Sequence, residues 1–204
     1  MGNFWDERFS GDEYIYGTEP NEFFKTEIDK LEPGRALFLG EGEGRNSVYA
    51  ATLGWKVDAV DFSRAGKHKA LALAKRKNAE INYTVADLKD FTPPESSYDL
   101  VVIIFLHLHE ELRKEVHAKA IAALKPGGRI ILEVFDKDQL KYRSGGPPNI
   151  ELLYSLEDVY TDFQDLEIEK FSKEIIELNE SRYHSGKACV VRYVGIKPPP
   201  RGSG

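Results

Sequence analysis

A chain of 204 residues, 41% hydrophobic and 30% charged, suits one folded domain and excludes a disordered or fibrous protein. The net charge of -6 leaves no footprint for a phosphate backbone, so nucleic acid is not expected as a partner, and no apolar run nears the roughly 18 residues that cross a bilayer. A single cysteine excludes an internal disulfide framework and a cysteine-rich zinc site, and the polar, acidic start implies a cytoplasmic protein that needs no metal.

Before the first expected strand lie Trp5, Phe9, Tyr14 and Tyr16, too many aromatics for a solvated arm. Residues 1–30 read as a cover that folds over a bound ligand. Residues 36–39 predict a first strand, which opens into Gly40-Glu41-Gly42-Glu43-Gly44. A helix over 46–53 follows, stopped by Gly54, then a second strand over 56–60. Ser63 is placed to cap the next helix, whose basic run from Arg64 to Lys77 reads as an amphipathic helix with a solvated lysine face.

A third strand is expected over 81–85, and Pro93 and Pro94 mark the loop before a continuous apolar fourth strand over 98–105. Then come a helix over about 112–124, a Lys125-Pro126-Gly127-Gly128 turn and a fifth strand over 129–135. Residues 141–149 hold two glycines and two prolines, which predicts a mobile loop or lid. A short helix over 156–163 precedes two antiparallel strands over 166–178 and 188–196. Alternation of this kind predicts an α/β, Rossmann-like, mostly parallel seven-stranded sheet with helices on both faces and an antiparallel C-terminal pair. One domain spans 1–197, with a disordered tail over 198–204.

The glycine loop lies between a strand and a helix, where backbone amides can meet a ligand. It does not fit the dinucleotide fingerprint: counted from Gly40 the last position is Arg45, and counted from Gly42 it is Ser47. Glu41 and Glu43 would also repel a pyrophosphate, whereas S-adenosylmethionine has no phosphate and two cationic centres. Asp61, closing the second strand, is placed to accept from ribose hydroxyls. Asp87 is placed to accept from an adenine amino group or to cap a helix, with Phe62 and Leu88 against the ring.

The chain resembles the class I S-adenosylmethionine-dependent methyltransferases, in particular the tellurite-resistance and thiopurine methyltransferase-like group. The resemblance rests on Trp5-Asp6-Glu7-Arg8-Phe9, Tyr16-Gly17 with Pro20-Asn21, Gly42-Glu43-Gly44-Arg45-Asn46, Leu124-Lys125-Pro126-Gly127-Gly128, and the run Tyr183 to Ala188. It implies that Gly40, Glu41 and Gly42 contact the methionine moiety, Asp61 the ribose and Asp87 the adenine, with Trp5 and Phe9 closing over the cofactor. Arg45, Asn46 and Phe105 complete the expected cofactor set. Phe38 stands where the group usually has an aspartate, and Glu41 where a cysteine is commoner.

His107 and His109 follow the fourth strand, at the edge where such sheets hold substrates, and either could act as a base or substrate contact. With Glu110 they could also form a metal cluster or a structural loop. Arg182 could hold an anion in a forked contact, and His184 lies beside it; the same segment also reads as a hairpin turn with Gly186. Tyr14, Tyr16 and Arg143 are further candidates for the pocket wall. The implied function is methyl transfer to a small molecule, against a nicotinamide oxidoreductase or a non-catalytic cofactor-binding regulator.

Overall fold

The computed structural model describes residues 2–181 and 183–200. Seven strands form one sheet in the order β3-β2-β1-β4-β5-β7-β6. β1 (Arg35–Leu39), β2 (Lys56–Asp61), β3 (Asn82–Val85), β4 (Tyr98–Ile104) and β5 (Leu124–Phe135) run parallel, and β7 (His184–Ile196) lies antiparallel between β5 and β6 (Glu167–Ser181). This is the expected Rossmann-like architecture.

Strand periodicity divides the core into two layers. Leu37 and Leu39 of β1 point with Val101, Ile103, Leu132 and Val134 toward α5 (Glu110–Ala123) and α6 (Leu156–Phe163). Ala36 and Phe38 point with Leu100, Val102 and Ile131 toward α2 (Glu22–Ile28) and α3 (Arg45–Thr52). Phe38 is fully buried against Phe24, so the position usually held by aspartate here serves the core.

Ser63 caps α4 (Arg64–Arg76) as expected, its hydroxyl accepting from the Gly66 amide at 3.0 Å. One lysine of that helix is not solvated: Lys69 turns inward and bonds Glu43 at 2.8 Å. The helix α2 is absent from the sequence reading. Asn21 starts it by accepting from Phe24 N at 2.9 Å, and Phe24 and Ile28, four residues apart, bury one face.

The Lys125–Gly128 segment is not a free turn. It bulges within β5, so that Tyr98 faces Leu124 while Leu100 already faces Arg129. Gly127, in the left-handed region, donates to Lys197 O at 2.8 Å, and Lys197 N returns a bond to Gly128 O. The last hairpin is longer than expected: β6 reaches Ser181 and β7 begins at His184, which places Gly186 inside a strand opposite Leu178. Between the sheet and α6, two 3₁₀ turns (Lys137–Lys141 and Ile150–Leu152) bracket residues 142–149, which form neither helix nor strand. Lys141 therefore closes a helical turn. No helix among the described residues is long and apolar enough to cross a membrane.

Candidate active site

The parallel strands end at one edge, and a cavity of about 1060 Å³ opens there, large enough for a cofactor and an acceptor together. Its wall brings together every expected site residue except Arg182, which lies outside the described residues: Trp5, Phe9, Gly40, Glu41, Gly42, Arg45, Asn46, Asp61, Phe62, Asp87, Leu88, Phe105, His107, His109 and His184. Tyr16 and Arg143 also line it. Tyr14 does not; its hydroxyl donates to Lys69 O on α4, and Arg76 covers its ring.

The glycine loop is held from behind. Gly42 N donates to Asp61 Oδ2 at 3.0 Å, and the Tyr83 hydroxyl donates to Gly42 O at 2.6 Å. Gly44, the residue before α3, is left-handed, and a Cβ there would come within 2.5 Å of the Ala70 Cβ. Glycine has no side chain to cap a helix, and Glu41 supplies the missing acceptor: its Oε1 takes Ser47 N at 2.7 Å and Asn46 N at 3.1 Å. Desolvation pushes the Glu41 carboxyl up to about 7, against the pull of these amides.

That cap decides between cofactors. A dinucleotide would need the α3 N-terminus for its pyrophosphate, and the Glu41 carboxyl group already occupies it. Asp61 is held by Gly42 N and Ser63 N at one bond per oxygen, which leaves acceptor capacity for two hydroxyls on the cavity side. The residues therefore fit a nucleoside with no phosphate. Asp87 lines the wall, and its Oδ1 also accepts from Lys89 N at 2.9 Å, so it closes a turn, with no helix following it for the expected cap.

The other end of the cavity is aromatic. Phe105, left-handed at φ 52°, stacks on Phe135 at 4.5 Å, and His184 meets both rings edge-on. His184 belongs to β7 and is buried. Its Nδ1 lies 3.1 Å from Glu180 Oε2. Burial pushes the imidazole pKa down while Glu180 draws it up. Glu180 is itself held near 2, because His184 and Arg45 outweigh its desolvation. An ionised Glu180 fixes the proton of His184 on Nδ1 and leaves Nε2 as the basic atom.

Glu180 is the site residue that sequence reading misses. It also accepts from Arg45 Nη2 and from Asn21 Nδ2, both at 2.9 Å, and Asn21 reaches on to Glu133 at 2.7 Å. Glu133 is wholly buried and ion-paired with Arg192. The only sequence signal was an acid four residues before His184. His107 differs from His184: its Nδ1 donates to Leu152 O at 2.7 Å, its Nε2 takes a long contact from Phe135 N, and desolvation pushes it down to about 4. Neither nitrogen is left for an acceptor, which corrects the base role expected of it. His109 begins α5 at the rim, half exposed, 3.8 Å from Glu151. It forms no metal cluster with His107 and Glu110 among the described residues.

The family described as "Methyltransferase domain" matches residues 36–128. A ubiquinone biosynthesis O-methyltransferase of Rickettsia bellii is 23% identical over 61% of this chain and 51% of its own length. The chain spans about half, or less, of the curated relatives it matches. Among solved structures, a protein that converts a disulfide bond into a thioacetal group in echinomycin biosynthesis superposes with a TM-score of 0.79 at 16% identity, covering 98% of this chain and 94% of that one. NodS, an N-methyltransferase of Bradyrhizobium japonicum in complex with S-adenosyl-L-homocysteine, gives 0.73 at 13% identity over 97% and 98%. TehB of Haemophilus influenzae gives 0.72 at 16% identity over 96% of this chain and 66% of its own. The chain thus has the fold of the class I S-adenosylmethionine-dependent methyltransferases, and TehB is among its structural neighbours. S-adenosylmethionine is the cofactor of that class.

Proposed function

We propose that the chain transfers a methyl group from S-adenosylmethionine to a small-molecule acceptor. The observation that carries this reading is the joining, in one cavity, of a phosphate-free nucleoside site at Asp61 and the capped glycine loop with an aromatic chamber that ends on His184. When bound, the cofactor supplies a carbon already activated by its sulfonium. The chain's own residues align and exclude water. Asp61 fixes the ribose end, Phe62 and Leu88 flank the adenine, and Asp87 accepts from its amino group. The rings of Trp5, Phe9, Phe105 and Phe135 exclude water from the reacting centre.

His184 is the general base. Its Nε2 takes the proton of an acceptor hydroxyl, amine or thiol as the new bond to carbon forms, and Glu180 steadies the resulting imidazolium. Isothermal titration tests the cofactor half of this reading: S-adenosylhomocysteine should bind and NAD should not. A screen of phenols, amines and thiols for S-adenosylhomocysteine release tests the transfer. Binding of NAD in preference would overturn the first half, and binding without turnover across the screen the second.

A further inference from the structure

The 142–149 segment lies against the His184 end of the cavity, and a free lid would leave its middle unbonded. Here the middle is pinned. Gln139, in the first 3₁₀ turn, is buried, and its Nε2 donates to Ser144 Oγ and to Gly145 O, both at 3.0 Å. Its Oε1 accepts from Cys189 N on β7 at 2.8 Å. Ser144, also buried, donates from its hydroxyl to Lys187 O at 2.6 Å, and its carbonyl accepts from Ser185 N at 3.2 Å. One amide thus ties the turn, the segment and β7 together. A leucine would fill the same space without needing any partner, so what the buried amide adds is orientation.

What it orients is the backbone at Gly145. A Cβ on Gly145 would lie 2.8 Å from His184 Cδ2 and 3.3 Å from Nε2, so the main chain packs on this edge of the imidazole with no room for a side chain. Gly146 sits as tightly on Phe135, where a Cβ would come within 2.9 Å of the ring. His184 is thus held by Glu180 at Nδ1, by the rings of Tyr16, Phe105 and Phe135, and by the Gly145 backbone on the edge that carries Nε2. Of these supports only Gly145 belongs to a segment without helix or strand, and Gln139 and Ser144 are what fasten it.

We propose that Gln139 is a positioning residue for methyl transfer: by holding Gly145 against His184 it keeps Nε2 aimed at the acceptor and keeps water off that edge of the ring. The assignment rests on the reading of His184 as the base. Its test is Gln139→Leu, which keeps the volume and drops three hydrogen bonds. Water admitted where Gly145 sat relaxes the burial that pushes the His184 pKa down, so histidine-detected NMR titration should find it higher by about half a pH unit or more. The other groups that face the imidazole, Glu180 on β6, Arg45 on α3, Arg8 on α1 (Gly2–Phe9) and His107 after β4, are untouched by the substitution, and Arg143 on the segment itself is exposed. With whichever phenol, amine or thiol wild type turns over fastest, kcat should fall about tenfold or more, while S-adenosylhomocysteine affinity changes less than about twofold by calorimetry. Ser144→Ala keeps the bond from Gln139 to Gly145 O and should give smaller changes in the same direction; it decides the matter should the leucine variant unfold. An unmoved His184 pKa or a kcat that survives in the folded variants overturns the proposal, as does a loss of S-adenosylhomocysteine affinity as large as the loss of turnover, the mark of a loosened cavity. Wild type silent across the screen, or turnover that survives His184→Gln, would instead overturn the reading of the base, and the titration would still decide whether Gln139 seats Gly145.

Discussion

Of the imidazoles on the cavity wall, His107 and His184 behave differently because of what their Nδ1 atoms face. His107 gives its proton to a backbone carbonyl, which offers no charge to stabilise an imidazolium, whereas His184 faces the ionised Glu180. Replacing Glu180 with glutamine should lower the His184 pKa further, because the residue that draws it up is lost while the burial remains. Histidine-detected NMR titration measures this, and an unmoved pKa would remove Glu180 from the base. His184→Gln should lower kcat by about 10²–10⁴-fold for an acceptor that must lose a proton, with S-adenosylhomocysteine affinity unchanged. A rate that survives would assign the proton to solvent. Asp61→Ala should weaken S-adenosylhomocysteine by about 1.5–3 kcal/mol, read by calorimetry on a variant whose thermal unfolding shows it folded.

At the scale of elements, the α3 cap joins a titration to the stability of a helix end. The folded-state pKa of Glu41 is raised from 4.5 to about 7, so the native state keeps a proton that the unfolded chain releases, and stability falls as pH rises across that window. The folded-state pKa of His107 is lowered from 6.5 to about 4, so the stability tied to its neutral form is present above 6.5 and is lost as pH falls toward 4. The two slopes oppose each other between about 4.5 and 6.5. Glu41→Gln keeps an amide oxygen for Ser47 and removes one slope, so its melting temperature should climb more steeply with pH over this range than that of wild type. Parallel melting curves would separate the cap from the titration.

Much of this framework was legible beforehand because it depends on local signals. The strand–glycine–helix order, Ser63 as a cap, and the acids closing β2 and following β3 are each set by neighbours a few residues away. What escaped depends on distant partners. The Lys125–Gly128 segment has turn chemistry, and only its bonds to Lys197 draw it into a sheet. Lys69 has the spacing of a solvated face until Glu43 arrives. Glu180 lies on an edge strand that carries five glutamates, where nothing marks one of them as buried between Arg45 and His184.

Over the whole molecule, the N-terminal segment joins no strand and is tied down by side chains, its own Asp6 and Tyr14 on α4 and those of the cofactor loop. Glu43 Oε2 accepts from Ile15 N and Tyr16 N, Asn46 Oδ1 accepts from Asn21 N, and Arg45 reaches Tyr16 O. The segment contributes one ring, Phe9, to the buried set, while both layers of the sheet are filled without it. Deleting residues 1–20 should therefore weaken S-adenosylhomocysteine binding and turnover far more than it lowers the melting temperature. Hydrogen exchange in wild type should slow from Trp5 to Asn21 on cofactor binding. A truncated protein that unfolds would give the segment to the core, and one that keeps full turnover would deny it any part in the site.

The same ties set an order of events in folding. Asn21 bonds to Asn46, Glu133 and Glu180, separated from it along the chain by 25, 112 and 159 residues. These contacts cannot form until β1 and α3 stand beside β5 and the β6–β7 hairpin has closed, and long loops delay such contacts. The cavity is then a late product of folding, assembled by docking a segment onto a sheet that has already formed. A chain stalled just before that step would hold nearly all its secondary structure and bind nothing.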